Sequence, residues 1–411
     1  MSRTLPGPVA PASRIVEIDI VRGFALFGVL LVNMYNFGAE SIAWNSTGDQ
    51  LAFAFMRVFL QSKSWILFAM LFGIGFALQL QRGEARNSRI LFVYFRRLAI
   101  LFAFGAAHAL LFDGDILMLY AELGLGLLLV RRLPTRVLLV LAVGLILIFP
   151  ATRLAQGPEK DEVESVAEAR AELEYAREDD VYATGSLAEV MADNASAIPA
   201  DPFEDIDSPE SGLAVFAMFL LGFSVGRSGA LRDIPGHVVR ITRVRNWGLG
   251  LGLAAMAAER VLAATAGYAL FGPQQAGPGA QLAGDLVFAF GALALALGYA
   301  ATLVLAAQTP RGRAVLAPLA AVGRLALTVY LTQTLMFSTL FYGYGFDQVF
   351  RLGPVGVTAW AVTIFGLQVV ACQWWSKRFR FGPVEWIWRS MTYMKWQPLR
   401  LQNELTPRAD C

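Results

Sequence analysis

Residues 98–132 read LAILFAFGAAHALLFDGDILMLYAELGLGLLLVRR. Two apolar runs are joined here by the polar hinge Asp113-Gly114-Asp115, and His108 precedes that hinge. A histidine and two acids are costly to bury in sequence that otherwise suits a lipid environment, so such residues mark a functional site by default. The stretch therefore predicts two membrane helices with a functional site at their junction.

Length and composition extend this interpretation to the whole chain. Of its 411 residues, 56% are hydrophobic and 16% are charged, and the mean hydropathy is +0.53. Soluble domains carry about 25% charged residues and lack repeated long apolar runs. The composition predicts an all-α fold, a polytopic transmembrane helical bundle. Basic residues form short clusters at span ends, which argues against nucleic acid as a partner. The two cysteines support neither a disulfide framework nor a thiolate metal site.

Apolar segments long enough for a hydrocarbon core about 30 Å thick predict about ten spans. They lie at 18–37, 64–81, 98–112, 116–131, 137–153, 213–227, 247–270, 284–306, 315–341 and 354–376. The expected organisation has five parts: a disordered N-terminus over 1–14, a membrane half with spans one to five over 15–153, an acidic insertion over 154–211, a membrane half with spans six to ten over 212–376, and an aromatic and basic tail over 377–411.

Clusters of arginine and lysine fall on one predicted side of the membrane. By the positive-inside rule this side is cytoplasmic, and both termini lie on it. Arg57 and Lys63 break the pattern, which favours an amphipathic helix over Leu51–Leu60 at the outer interface. The insertion is placed outside, with a helix in its Glu- and Ala-rich first part over 159–179 and irregular structure in the rest. It is interpreted as a solvated acidic cap or as a cation or polymer site.

Three charged residues are candidates for binding a phosphorylated cofactor. Asp19 and Arg22 share one helical face near the cytoplasmic boundary, and Arg324 lies near the inner edge of span nine. An ion pair with a snorkelling arginine is one interpretation of the first two. A phosphate site is the other, because arginine matches phosphate geometry.

Polar residues near the outer leaflet are candidates for handling an acceptor. Asn33 ends span one and is interpreted either as a contact between helices or as a catalytic group. Trp44 in the following loop suits an interface anchor. Asp49 in the same loop is either solvated or positioned to orient a substrate hydroxyl or amine.

The hinge carries the candidate general base. His108, with Asp113 or Asp115 fixing its tautomer and Tyr120 nearby, has the residue types that general base catalysis requires. The alternative is structural, with Asp113 capping the following helix and His108 bonded to a neighbouring carbonyl. The spacing forms no metal motif, so no metal is expected.

Span nine is unusually polar for a membrane helix. Thr328, Tyr330 and Gln333 lie within it, together with further threonines. Such a segment predicts either a water-accessible cavity or a dense hydrogen-bond network between helices.

Several motifs resemble known membrane families. The segments G323RLALTVYLTQT, F341YGYGF and F381GPVEWIWRSMTY look like the bacterial membrane family known as domain of unknown function 418. The N-terminal half, with L71FGIGFAL and G105AAHALLFDGDILMLYA, is similar to the companion region of that family. It also resembles, more distantly, the heparan-alpha-glucosaminide N-acetyltransferase group of transmembrane acyltransferases. That second resemblance implies transfer of an acyl group from cytoplasmic acyl-CoA to an extracytoplasmic hydroxyl or amine.

The resemblance carries over residue by residue. The positions that match the shared motifs are Asp19, Arg22, Gly23, Asn33, Trp44 and Asp49. The catalytic histidine that the acetyltransferases have just before this tryptophan is absent, and Ser41, Ile42 and Ala43 stand there. His108 is then the histidine that remains in position to act as base.

These observations lead to a leading functional hypothesis and an alternative. The first is an acyltransferase in the bacterial inner membrane that uses acyl-CoA as donor substrate and has no tightly bound cofactor. Its expected partners are membrane lipids, an extracytoplasmic glycan or lipid acceptor, and a second copy of the chain or another membrane protein. The alternative is a non-enzymatic transporter or lipid-binding scaffold.

Overall fold

The computed structural model describes residues 14–38, 46–85, 90–156, 181–197, 211–268, 276–348 and 351–401. Within these ranges the chain is helical, and the β-structure found there is one isolated bridge between Phe379 and Arg400. The helices are α1 Val16–Gly38, α2 Thr47–Phe59, α3 Lys63–Ala85, α4 Ile90–Ala109, α5 Leu117–Val130, α6 Thr135–Gln156, α7 Leu187–Ala197, α8 Gly212–Arg227, α9 Ile234–Ala266, α10 Pro278–Ala306, α11 Pro310–Arg324, α12 Ala326–Phe341, α13 Pro354–Ser376 and α14 Pro383–Tyr393.

Six helical segments in the described ranges are long and apolar enough to cross a membrane: α2 joined with α3, α4, α6, α9, α10 and α13. The pair α11 and α12 makes a seventh if it counts as one span, and α5 and α8 are apolar but shorter. Apolar side chains such as Leu129 (85% exposed) and Val140 (72% exposed) lie on the outside of the bundle, as lipid-facing residues do. The predicted all-α membrane fold is confirmed, whereas the count of ten spans stays a prediction.

The segment predicted as span nine, 315–341, consists of two helices rather than one. α11 and α12 meet at 79°, and Leu325 at the junction has φ −109° and ψ 33°. A helix that begins inside an apolar environment leaves backbone N–H groups to be satisfied. Glu385 accepts two of them, from Leu327 at 2.7 Å and Thr328 at 3.0 Å, so a carboxylate 57–58 residues away stabilises the break.

In the second part of the insertion, the prediction of irregular structure is wrong over α7, whereas residues 198–210 lie outside the described ranges. Ser186 and Glu189 form a reciprocal capping box at the start of α7, with Glu189 Oε2 accepting from the Ser186 N–H at 2.8 Å and Ser186 Oγ accepting from the Glu189 N–H at 3.4 Å. The Glu- and Ala-rich part over 159–179, predicted to be helical, lies outside the described residues.

Two pairs of glycines set how closely the helices approach. In α3 and α8, Gly73 and Gly222 lie so close to the facing backbone that an added Cβ would stand 2.1 Å and 2.0 Å from a carbonyl oxygen. Gly23 of α1 and Gly323 of α11 pack in the same way, at 2.1 Å and 1.8 Å. Small residues permit such contacts between membrane helices. The second contact holds Arg22 beside α11, where its NH1 donates to the Gly323 carbonyl at 3.3 Å.

Two ends of the bundle matter for the site. At the basic end, the start of α1, the α11–α12 break, the end of α13 and α14 come together. At the hinge end, the Asp113–Asp115 hinge meets α12, and the segment 181–197 packs over the hinge.

Candidate functional site

The hinge places three polar side chains in one hydrogen-bonded row. His108, at the end of α4, has its Nδ1 2.7 Å from Asp115 Oδ1 and its Nε2 2.7 Å from the Thr334 Oγ1 of α12. His108 and Thr334 are 4% and 1% exposed, and the Asp115 side chain is 2% exposed. The row therefore lies in the protein interior, where such hydrogen bonds are strong and an unpaired group is costly.

The acid in this row fixes the tautomer of the histidine. An ionised carboxylate only accepts hydrogen bonds, so the Asp115 contact assigns the proton to His108 Nδ1. In the neutral imidazole Nε2 is then an acceptor, and the Thr334 hydroxyl donates to it. The rings of Phe112 and Tyr330 flank the imidazole, with centroids 5.9 Å and 5.0 Å away.

The two hinge acids do different things. Asp115 Oδ2 accepts from the Met118 N–H at 2.8 Å and so caps α5, the role that the structural alternative gave to Asp113. Asp113 is exposed and accepts from the Gly114 N–H at 2.8 Å. His108 contacts a carboxylate and a hydroxyl, in contrast to the carbonyl of that alternative.

A cavity of about 170 Å³ leads from the basic end toward this row. Its walls at the basic end are polar, with Arg22, Arg97, Arg324, Gln79 and Glu385. Its inner walls are apolar and aromatic: Phe68, Leu71, Phe72, Leu101, Leu117, Tyr120 and Tyr330. Because Tyr330 both lines the cavity and packs against His108, its ring separates the cavity from the buried row.

The charged wall contains hydrogen-bond donors that could bind a ligand. Three arginines against one carboxylate make it electropositive. In the described part of the chain, two buried nitrogens in this wall, Arg324 Nε and Gln79 Nε2, have no hydrogen-bond partner. An orphaned buried donor is costly, so a ligand with acceptor oxygens would be stabilised here.

Each cavity arginine is also held in place. Arg22 NH1 contacts Asp19 Oδ1 at 3.3 Å, and Asp19 also accepts from Arg14. Arg97 NH1 donates to Gln79 Oε1 at 3.0 Å, and Arg324 NH2 donates to the Phe379 carbonyl at 3.1 Å. The arginines are thus fixed before a ligand binds, which lowers the entropic cost of binding.

The C-terminal helix α14 closes the basic end. Glu385 lines the cavity while capping α12, and burial raises the pKa of its carboxyl against the opposing effect of hydrogen bonds from Thr328 and Leu327. Trp388 lies under the Arg97 guanidinium, 4.2 Å from ring centroid to Cζ, and its Nε1 donates to the Arg97 carbonyl at 3.0 Å. The tail therefore belongs to the cavity wall.

Segment 181–197 covers the hinge from the other side. Asn194 Nδ2 donates to the Leu110 carbonyl at 3.2 Å, and its Oδ1 accepts from the Tyr182 hydroxyl at 2.8 Å. The Tyr182 ring stacks on Tyr342 at 4.7 Å. This part of the insertion thus packs over the helix ends beside His108.

Among the other predicted site residues, Asp49 connects two helices away from the row. Asp49 Oδ1 accepts from the Val355 N–H at 2.9 Å and joins α2 to the start of α13. Asn33 is half-buried in α1. Trp44 lies outside the described residues. Both interpretations of span nine apply, since Tyr330 lines the cavity while Gln333 joins α13 through Gln368 at 3.1 Å.

Sequence patterns do not mark Thr334, Arg97, Gln79, Glu385 or Trp388 as site residues. Arg97 belongs to a basic cluster at the start of a span, and Glu385 belongs to the C-terminal tail. Only the packing of α4, α12 and α14 brings them to one cavity. Among the described residues, no three His, Cys, Asp or Glu side chains form a group that would hold a metal ion.

Comparison with known proteins places the chain in a family. Residues 225–395 match a family described as "Protein of unknown function (DUF418)". The uncharacterized protein YxaH of Bacillus subtilis (strain 168) is 30% identical over 422 aligned positions, which cover 97% of this chain and 99% of YxaH. This chain belongs to the DUF418 family. Its C-terminal motifs are thereby confirmed as family features, and the acyltransferase resemblance stays a prediction.

The alignments with two further relatives of this DUF418 protein also cover nearly the whole length of both chains. The uncharacterized protein YeiB of Escherichia coli (strain K12) is 31% identical, with 92% of this chain and 96% of YeiB covered. An uncharacterized 39.9 kDa protein from the amylase 3' region of Bacillus acidopullulyticus is 26% identical, with 97% and 99% covered. The DUF418 chain is thus a multi-pass membrane protein of a bacterial family.

Proposed function

We propose that this protein is an acyltransferase of the bacterial inner membrane that takes acyl groups from cytoplasmic acyl-CoA. The acceptor is a hydroxyl or amine of an extracytoplasmic glycan or lipid. The observation that carries the proposal is a cavity that joins an arginine-rich wall to the aromatic wall beside His108. An acyl-CoA has matching parts, with phosphates at one end and an apolar acyl chain at the other.

The donor fits the cavity by chemistry. Arg22, Arg97 and Arg324 offer guanidinium donors to phosphate oxygens, and the orphaned Arg324 Nε supplies one that the protein itself leaves unused. The acyl chain would lie among Phe68, Phe72 and their apolar neighbours. The basic end is assigned to the cytoplasmic side because the arginine and lysine clusters of the sequence follow the positive-inside rule.

His108 supplies the base. Its unprotonated Nε2 accepts a proton, and Asp115 stabilises the imidazolium that forms. Exclusion of water by the surrounding aromatic rings strengthens this electrostatic effect.

Arg324→Gln tests the donor site. Loss of one phosphate-binding guanidinium is expected to weaken acetyl-CoA binding about 10- to 100-fold, because a hydrogen bond to a charged group contributes about 1.5–3 kcal/mol. Calorimetric titration of acetyl-CoA into purified protein in detergent measures this.

Arg378→Gln is the matched control. Arg378 is exposed near the end of α13, packs over Trp374 and does not line the cavity. Equal weakening by both variants would mean that the effect is one of general charge, and absence of acetyl-CoA binding by the wild type would contradict the proposed function.

The transporter or scaffold alternative makes a different prediction. A transporter or scaffold would release its bound ligand from the cavity without changing it chemically. Release of free thiol from acetyl-CoA by the wild-type protein, measured with a thiol reagent, would exclude that alternative.

A further inference from the structure

Thr334 differs in its hydrogen bonding from three other hydroxyl residues of α12, while Thr328 at the start of that helix donates to Glu385. Thr332 and Thr339 donate to carbonyls of the preceding turn at 2.9 Å and 2.6 Å, as serine and threonine usually do in membrane helices. Ser338 also donates to the preceding turn. Thr334 instead directs its hydroxyl at His108 Nε2, 2.7 Å away. Its oxygen is therefore polarised by an imidazole.

The partners of Thr334 complete a constellation that activates nucleophiles. A hydroxyl within hydrogen-bond reach of a base, with that base oriented by a third group, is the diagnostic geometry for a nucleophilic oxygen. Here the hydroxyl comes from α12, the base from the end of α4, and the orienting carboxylate from the hinge. The sequence separation of 226 residues between Thr334 and His108 shows that this row is built by tertiary packing.

Thr334 also lies on the face of α12 that points toward the cavity. Leu327 and Tyr330 line the cavity, and Thr334 follows them at helical spacing on the same face of α12. The Tyr330 ring lies between the end of the cavity and the imidazole. Thr334 thus lies about one helical turn beyond a residue that lines the cavity.

We propose that Thr334 is the nucleophile of this protein and carries the acyl group as a threonine ester between donor and acceptor. The inference rests on the proposed function, which it deepens by replacing direct transfer with two steps. A covalent carrier suits a reaction whose donor and acceptor approach from opposite ends of the bundle.

In the first step, Thr334 Oγ attacks the thioester carbonyl carbon and its proton passes to His108 Nε2. The C–S bond breaks, and the CoA sulfur leaves with that proton as a free thiol. In the second step, the acceptor hydroxyl or amine attacks the ester carbonyl and gives its proton to His108. The C–O bond to Thr334 breaks, and Thr334 Oγ takes the proton back.

The test uses an exchange reaction that needs no acceptor. Full-length protein in detergent is incubated with acetyl-CoA and radiolabelled CoA, and label appearing in acetyl-CoA is measured. A threonine ester predicts exchange in the wild type and an acetylated peptide containing Thr334 in mass spectra. Thr334→Val, which keeps the side-chain shape, is expected to lower the exchange rate about 100-fold or more.

Controls separate chemistry from folding. Thr339→Val removes an exposed hydroxyl of the same helix that donates to the Leu335 carbonyl and does not contact His108, and it should exchange like the wild type. Thr334→Ser keeps the nucleophile and should retain exchange. The threonine ester is overturned if Thr334→Val still exchanges, or if the wild type transfers acetyl to an added amino sugar or polar lipid vesicles without exchange. The second result would leave the proposed function intact, whereas a wild type that does not bind acetyl-CoA would remove both.

Discussion

Replacement of His108 by alanine is expected to lower acyl transfer by about 10²- to 10⁴-fold, the usual contribution of a general base. The imidazole is the base in the row, and no other histidine side chain in the described part of the chain lies near it, since His237 bonds the Asp233 carbonyl in an exposed position. Thiol release from acetyl-CoA measures the rate. Asp113→Asn is the matched control, because this carboxyl belongs to the same hinge but is exposed and does not contact His108.

A structural role for His108 would also lower the rate, so a second variant is needed. His108→Ala leaves Asp115 Oδ1 buried without its hydrogen-bond donor, which costs about 1.5–3 kcal/mol of folding free energy. The double variant His108→Ala with Asp115→Asn removes that orphaned charge. We expect it to recover thermal stability in detergent but not activity. Recovery of acyl transfer in the double variant would contradict a catalytic role for the histidine.

Substitution of Gly222 by alanine is expected to destabilise the fold by about 1–3 kcal/mol, the usual cost of overpacking. The added Cβ would stand 2.0 Å from the Met70 carbonyl oxygen, and a backbone atom of a packed helix cannot move without separating α3 from α8. The midpoint of thermal unfolding in detergent measures the loss.

Gly144→Ala is the control for this substitution. Gly144 lies within α6, and a Cβ there meets no atom within 4 Å. Alanine has the higher helix propensity, by up to about 1 kcal/mol, so this variant should be as stable as the wild type or more stable. Similar losses for both variants would show that the α3–α8 contact does not depend on the small side chain.

The hinge shows how far local sequence reasoning reaches. His108 and Asp115 are seven residues apart, so the chain itself brings the histidine and the hinge together. The sequence does not show which of the two acids pairs with the histidine. Asp113 and Asp115 are the same residue type two positions apart, and only the course of the backbone decides that Asp115 faces inward and caps α5.

The break between α11 and α12 is a feature that local sequence reasoning does not predict. The segment 315–341 is apolar and long enough for one helix, and Pro318 and Gly323 precede Leu325 without marking the position of the break. The break is stabilised by Glu385, which stands far along the chain in a tail that has its own aromatic and basic character. Hydrogen bonds between distant segments leave no periodic pattern, so the sequence could not predict this one.

By itself, the sequence determined that the protein is an all-α membrane protein, since burial of its apolar runs requires helices that satisfy their own backbone groups in lipid. It also determined that His108 and the hinge acids lie at a helix junction. The tertiary structure alone decided which groups meet there: Thr334 opposite His108, and three arginines around one cavity. The physical reason is that helical periodicity fixes which face of a helix is apolar, whereas the partner of that face depends on close packing between segments hundreds of residues apart.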